Sequence, residues 1–261
     1  MTAATEPDDR RFAGILNFRD YGGYATAGGG RLRRGRLFRS AQHRDATPED
    51  LAAVGTIGFA AVIDLRSPEE RRKAPCPRPA GFAARHLFSD ADTSGLAPHV
   101  EAAGGADTPE GARRAMLGSY GGMPFRAGLV PALRHYFDAL ATSDGPTLVH
   151  CVAGKDRTGL AVALFHAMMG VHRDDIAADY LRTNAASRLE QRVAGAAQAS
   201  AIEGKAISEE AMAVLMSVDA AYLDAAFAAI DARHGTLDAY LRDVLGVDAG
   251  KRDAIAARVL E

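Results

Sequence analysis

Two cysteines, Cys76 and Cys151, are the only thiols in 261 residues. Two cannot build a disulfide framework, so the fold is not expected to depend on an oxidising compartment. A cationic surplus is missing as well. Lys+Arg 31 against Asp+Glu 33 gives a formal charge of -2, whereas a nucleic-acid binder ordinarily carries a clear basic excess. Nucleic acid is therefore set aside as a partner. No uninterrupted apolar run reaches roughly 18 residues, the length a bilayer-spanning helix requires. The opening MTAATEPDDRRF is polar and acidic, without the apolar stretch of a cleaved secretory signal. The expectation is a cytoplasmic protein with no integral membrane segment; export by a route without a cleaved signal stays open. What is present is ordinary for a globular chain. The composition is 48% hydrophobic and 25% charged, which excludes a largely disordered protein. At about 150 residues per domain the length fits one large domain, or one with an insert. A single domain over 1–261 is expected.

Caps and periodicity outline the elements. Residues 1–10 read as a frayed tail. Thr47-Pro48 supplies an N-cap and a first-turn proline for a short helix that stops near Gly55. The run Phe59-Ala60-Ala61-Val62-Ile63 reads as a buried parallel strand ending at Asp64. Ser67-Pro68-Glu69-Glu70 is a capping box opening a second helix. Arg85-His86-Leu87-Phe88 and Thr147-Leu148-Val149 read as further strands. Leu129, Leu133, Phe137 and Leu140 form one apolar helical stripe, with Pro131 near its start. Leu160 to Met169 is nearly all apolar and predicts a helix buried on most sides. Ala220, Leu223, Phe227 and Ile230 make a last stripe, closed by Gly235. Strands alternating with helices predict an α/β domain with a mainly parallel central sheet flanked by helices. Residues 91–124, with little pattern, and the Ala-rich helical 172–217 look like additions to that core. They are either cover over a site or surface excursions. Five arginines between 31 and 39 are either a solvated edge or a rim that attracts anionic substrates.

The chemistry is concentrated in His150-Cys151-Val152-Ala153-Gly154-Lys155-Asp156-Arg157-Thr158-Gly159. A cysteine ends a predicted strand, and an arginine opens a predicted helix six residues on. A turn of this length can curl round a tetrahedral anion with successive N–H groups pointing inward, and the helix adds its positive end. Val152, Ala153, Gly154, Lys155, Asp156, Arg157 and Thr158 are thus the expected phosphate cradle. Arg157 can fork onto two phosphate oxygens, and Gly154 allows close approach or a left-handed backbone. A thiol in such a field ionises more readily than free cysteine, so Cys151 is the expected nucleophile. No metal or cofactor is required, because amides and arginine supply the positive charge. Thr158 is placed to donate to the sulfur, His150 to orient the loop backbone, and Lys155 to add charge at the mouth. Cys76, between Pro75 and Pro77, is given no catalytic role.

These residues resemble the bacterial tyrosine phosphatases of the PtpB type, within the cysteine-dependent phosphatase superfamily. The loop matches that family's Cys-x-Ala-Gly-Lys-Asp-Arg-Thr-Gly. Asn17-Phe18-Arg19-Asp20, Asp64-Leu65-Arg66-Ser67 and Ala178-Asp179-Tyr180-Leu181-Arg182 agree with it too. The resemblance implies a tyrosine-phosphatase-like fold with a helical lid. It also implies action on phosphotyrosine, sometimes phosphoserine or phosphothreonine, and often phosphoinositides. The expected partner is thus a phosphorylated protein or a phosphoinositide substrate. Lys155 and the arginine-rich stretch would favour the lipid, and a non-catalytic phospho-binding module is the remaining alternative.

The leaving oxygen needs a proton, worth about 10²–10⁴ in rate. Asp90 follows the strand Arg85–Phe88 at the sheet edge where α/β sites collect, and the resemblance puts an acid there. Asp156 lies in the loop itself and could donate a proton or hold the backbone. Position favours Asp90, with Asp156 kept beside it. Asn17, Arg19 and Asp20 either brace the loop or form a structural turn.

Overall fold

The computed structural model describes residues 12–91, 107–202 and 207–261. Five strands form one sheet: β1 (Arg19–Asp20), β2 (Leu37–Ser40), β3 (Ala61–Asp64), β4 (Arg85–Phe88) and β5 (Thr147–His150). Their order is β1-β2-β5-β3-β4. Only β1 runs antiparallel to its neighbour; β2, β5, β3 and β4 are mutually parallel. The expected α/β fold with a mainly parallel sheet is the one observed. Register brings Ser40 opposite His150, His150 opposite Asp64, and Asp64 opposite Phe88. Four strands therefore end level, and β5, the central one, runs straight into Cys151.

Among the described residues the helices are α1 (Pro48–Ile57), α2 (Pro68–Lys73), α3 (Pro109–Gly122), α4 (Leu129–Thr142), α5 (Asp156–Met168), α6 (Arg173–Ala186), α7 (Leu189–Ile202), α8 (Glu209–Met216), α9 (Ala220–His234), α10 (Leu237–Asp243) and α11 (Ala249–Val259). Helix α1 runs past Gly55 and ends at Gly58, whose φ of 68° stops it. Gly55 carries on in helical conformation because its neighbours' packing outweighs its weak propensity. The two capping boxes, Thr47 with Asp50 and Ser67 with Glu70, both form. Leu129, Leu133, Phe137 and Leu140 are all buried in the main core. Helix α5 is buried at every position but Ala167, as its apolar sequence requires.

Two expectations change. Strand β1 lies where no strand was read, and β2 overlaps the arginine stretch read as a solvated strand or loop edge but is buried. Leu37-Phe38-Arg39-Ser40 hides its periodicity because all four residues are buried, Arg39 included. Residues 109–122, inside a stretch read as patternless, are a helix capped by Thr108. The rest of that stretch, 92–106, and the tail 1–10 lie outside the described residues. Helix α3 packs against α8 and α9, which ties part of 91–124 to part of 172–217. No single described helix is long and apolar enough to cross a membrane; the bent pair α8 and α9 passes that test only together.

Candidate active site

Cys151 sits at the C-terminal edge of β5, buried, and α5 begins five residues later at Asp156. Gly154 turns the loop with φ 62°, and a Cβ there would lie 2.4 Å from the Ser40 carbonyl oxygen. Left-handed backbone and lack of space both demand glycine. The Gly154 carbonyl is pulled outward by two donors, Asn17 Nδ2 at 2.7 Å and Arg39 Nη2 at 3.0 Å. Gly159 gives room on the other side, where a Cβ would meet the Tyr180 ring at 2.6 Å.

Behind these donors lies a buried charge cluster. Asp179 of α6 takes Arg19 Nε at 3.0 Å and Arg39 Nη1 at 2.7 Å. Burial alone would raise the Asp179 carboxyl, but the two guanidiniums hold it well below the usual carboxylate range. Burial, and then the neighbouring Arg39, lower Arg19 to about 10 despite Asp179. Asn17 and Arg19 thus brace the loop. Asp20 instead ties a turn, accepting from the Gly22 and Gly35 amides at 2.7 and 2.5 Å.

Arg157 is held by Glu70 of α2, with Nη1 and Nη2 reaching the two carboxylate oxygens at 2.6 and 2.8 Å. Burial opposes its charge, but Glu70, Cys151 and Asp156 outweigh burial and raise its affinity for the proton. Its Nε is buried with no hydrogen-bond partner among the described residues. The fork expected on phosphate is thus taken by Glu70 through Nη1 and Nη2, and Nε is the donor left unengaged. The Thr158 hydroxyl is likewise buried without a partner. The expected bond from Thr158 to the sulfur is thus not made.

His150 behaves as an orienter. Its Nδ1 lies 3.4 Å from the Cys151 carbonyl oxygen, its ring stacks on His43 at 5.7 Å between centroids, and burial pushes its pKa down to about 4.

Lys155 departs from expectation. Its side chain is fully buried, and Nζ donates to the Leu215 and Ser217 carbonyls at 2.6 and 3.2 Å and lies 3.2 Å from Asp156 Oδ1. The ammonium sits on the carbonyl end of α8, where a helix favours a cation, rather than at the mouth. The arginine-rich rim is corrected in part. Arg31, Arg33 and Arg34 are exposed, but Arg39 is entirely buried and serves the loop from behind.

The two aspartates occupy different surroundings. Asp156 is buried, and its Oδ1 accepts from the Tyr120 hydroxyl at 2.8 Å; that hydroxyl also meets Tyr180 at 2.5 Å. Asp90 is 77% exposed, and its Oδ1 lies 2.5 Å from Arg71 Nη2. Arg71 neighbours Glu70, so consecutive residues of α2 hold Arg157 and Asp90.

Sequence reasoning missed Glu70 as more than a cap, and Arg39, Tyr120 and Asp179 as supports. The signal available was the Ser67–Glu70 spacing, but a capping box alone does not say that the same carboxylate also binds an arginine.

The thiol at a strand end, the glycine-turned loop, the helix start and the carboxylate-held arginine meet at one end of the sheet, as the phosphatase reading of the sequence expects. The comparisons agree. A sequence profile described as the tyrosine phosphatase family matches residues 10–261, so the chain belongs to that family and is a phosphatase of that class. A provisionally designated tyrosine-protein phosphatase of Cupriavidus necator is 39% identical over 256 residues, which cover 93% of this chain and 86% of that protein. The triple specificity protein phosphatase PtpB of Mycobacterium tuberculosis is 35% identical over 266 residues, covering 90% of this chain and 93% of that protein.

Proposed function

We propose that the enzyme acts in the cytoplasm as a single-domain protein, removing phosphate from phosphotyrosine in proteins, with phosphoserine and phosphothreonine as further substrates. The observation that carries the reading is the orphaned Arg157 Nε–H, buried in the same loop as Cys151 while Glu70 occupies the other two nitrogens. A desolvated donor without an acceptor is costly, and a phosphoryl oxygen would satisfy it.

In this reading Cys151 Sγ attacks phosphorus, an S–P bond forms and the P–O bond to the leaving group breaks. The amides of 152–157 and Arg157 carry the charge on the equatorial oxygens. Water then attacks the cysteinyl-phosphate, releasing phosphate and the thiolate. The leaving oxygen takes a proton from Asp156, with Asp90 as the alternative. Asp156 is supported by its place in the loop. Lys155 Nζ at 3.2 Å and the Tyr120 hydroxyl at 2.8 Å hold its Oδ1, so a proton for the leaving group has to arrive there with the substrate. Asp90 is engaged by Arg71 at the surface.

Aryl phosphates of graded leaving-group pKa distinguish the two. Replacing the true donor by Asn costs poor leaving groups about 10²–10⁴-fold and spares activated ones. Equal losses across the series in both Asp156→Asn and Asp90→Asn would overturn the acid assignment.

The phosphoinositide alternative loses the support of Lys155, which is buried, and keeps only part of the arginine stretch, since Arg39 is buried while Arg31, Arg33 and Arg34 are exposed. It is read directly by assaying phosphotyrosine peptides and inositol lipids in parallel. A preference for the lipids would contradict the protein-substrate reading. The lid role of 91–124 and 172–217 is proposed on the contacts of α3 with α8 and on the Lys155 tether to the end of α8.

A further inference from the structure

The end of the sheet carries a second cluster that the phosphatase chemistry does not use. Asp64 closes β3, His86 lies in β4, and His150 closes β5. Asp64 Oδ2 is 3.7 Å from His86 Nε2 and 3.8 Å from His150 Nε2. One ligand atom from each of the three residues falls within 4.8 Å of the others. Asp64 and His150 are fully buried, while the His86 side chain is 41% exposed, so the cluster has a way in from solvent.

His150 Nε2 points into this cluster and has no hydrogen-bond partner. Its other nitrogen faces the Cys151 carbonyl at 3.4 Å. If Nδ1 carries the proton, a bare Nε2 lone pair confronts a carboxylate inside the protein. If Nε2 carries it, the distance of 3.8 Å is too long for a hydrogen bond to Asp64. Either way His150 Nε2 is left unsatisfied on its side of Asp64, while the Arg66 guanidinium engages the carboxylate from the other, with Nη2 2.7 Å from Oδ2. A histidine whose far nitrogen donates to a backbone carbonyl while the near one faces a carboxylate and a second imidazole is arranged as metal ligands are.

We propose that Asp64 Oδ2, His86 Nε2 and His150 Nε2 form a binding site for a borderline-soft divalent cation of the Zn²⁺ class, next to the nucleophile and separate from the phosphate cradle. Two imidazoles and a carboxylate suit zinc or cobalt over magnesium or calcium, which prefer all-oxygen sites. A tetrahedral ion with bonds of about 2.0 Å holds its ligands roughly 3.3 Å apart. The site reaches that by drawing the half-exposed His86 inward and by closing the 3.8 Å between Asp64 Oδ2 and His150 Nε2 by about 0.5 Å. Two guanidiniums stand close. Arg66 forks onto Asp64, with Nη2 at 2.7 Å from Oδ2, and the charge of Arg78 is felt at both His43 and His150. They lower the affinity below that of a dedicated structural zinc site. Because His150 adjoins Cys151, an ion held here acts on the residue that anchors the loop.

The test is calorimetric titration of the full-length protein with Zn²⁺, paralleled by the visible ligand-field spectrum with Co²⁺. Zinc can also bind a reactive thiol, so Cys151→Ser is measured beside the wild type. The proposal expects one ion per chain in both, with four-coordinate cobalt bands lacking a thiolate charge-transfer component. His86→Ala and His86→Gln should each weaken binding at least about tenfold, since even losing an outer-shell partner of a ligand costs about 10–100-fold. Both keep phosphatase activity, which certifies their fold. Loss of the ion in Cys151→Ser, unchanged affinity in both His86 variants, or no binding to the wild type would each overturn it.

Discussion

Glu70 grips the guanidinium of Arg157 through both carboxylate oxygens, at 2.6 and 2.8 Å. The same carboxylate accepts from the Ser67 amide at 2.8 Å as part of the α2 capping box. One side chain thus starts a helix and fixes the plane of the fork that faces the phosphate loop. Glu70→Gln keeps the shape but removes the charge and one acceptor. It should lower kcat/KM roughly 10- to 100-fold, by analogy with other residues that orient a charged ligand, while the melting temperature falls little. Steady-state kinetics with a phosphotyrosine peptide check this; unchanged kinetics would mean that Arg157 needs no such support.

Gly154→Ala tests the loop's geometry. The new Cβ would stand 2.4 Å from the Ser40 carbonyl oxygen on a backbone with φ 62°. The left-handed conformation alone costs about 1–2 kcal/mol, and the collision forces the loop off Ser40. Phosphate binding followed by calorimetry should be lost while the circular dichroism of the folded state persists. Retained phosphate affinity would show that the loop tolerates another path.

Lys155→Met tests the tether between the loop and α8. The ammonium now satisfies the Leu215 and Ser217 carbonyls and faces Asp156. Methionine fills the space but leaves a buried carboxylate uncompensated, and breaking a buried pair typically costs about 3–5 kcal/mol. Amide exchange should speed up first in 209–218, ahead of the sheet. Exchange unchanged in that segment would refute the tether.

The pH dependence of stability follows from buried groups with lowered pKa: the carboxyls of Asp179 and Asp64, and the imidazoles of His43, His150 and His166. Asp179 is ionised in the fold far below the usual carboxylate range, held there against burial by Arg19 and Arg39. Its contribution is present above the unfolded carboxyl pKa of about 3.9 and is lost as pH falls below it. His150, pushed down to about 4 chiefly by burial, is neutral in the fold and takes a proton on unfolding below roughly pH 6.5. Its contribution has the same sign, and erodes as pH drops from about 6.5 towards 4. Denaturant midpoints should therefore decline on acidification in two stages. Asp179→Asn should lower the midpoint at neutral pH and reduce the slope of the more acidic stage, leaving the share of Asp64; an undiminished slope in the variant would assign that stage elsewhere.

The central strands and the phosphate loop were legible because their signals are local. A β-branched apolar run, a Ser-Pro-Glu-Glu cap, and a cysteine and an arginine at fixed spacing each act within a few residues. What stayed hidden depends on long-range pairing. Arg39 reads as one of five surface arginines until Asp179, 140 positions away, is seen to pair with it. Lys155 reads as a mouth lysine until α8 delivers its carbonyl end. Strand β1 is two residues long and carries no periodicity to read. Sequence could place Asp90 at a sheet edge but could not reveal that Arg71 would claim its carboxylate.

The most direct test is rapid acid quench of the wild-type enzyme during turnover of a phosphotyrosine peptide, with the trapped phosphoryl group located by peptide mapping. The account expects phosphate on Cys151 Sγ, and no adduct or turnover in Cys151→Ser. Phosphate on another side chain, or hydrolysis by the serine variant at the wild-type rate, would contradict it.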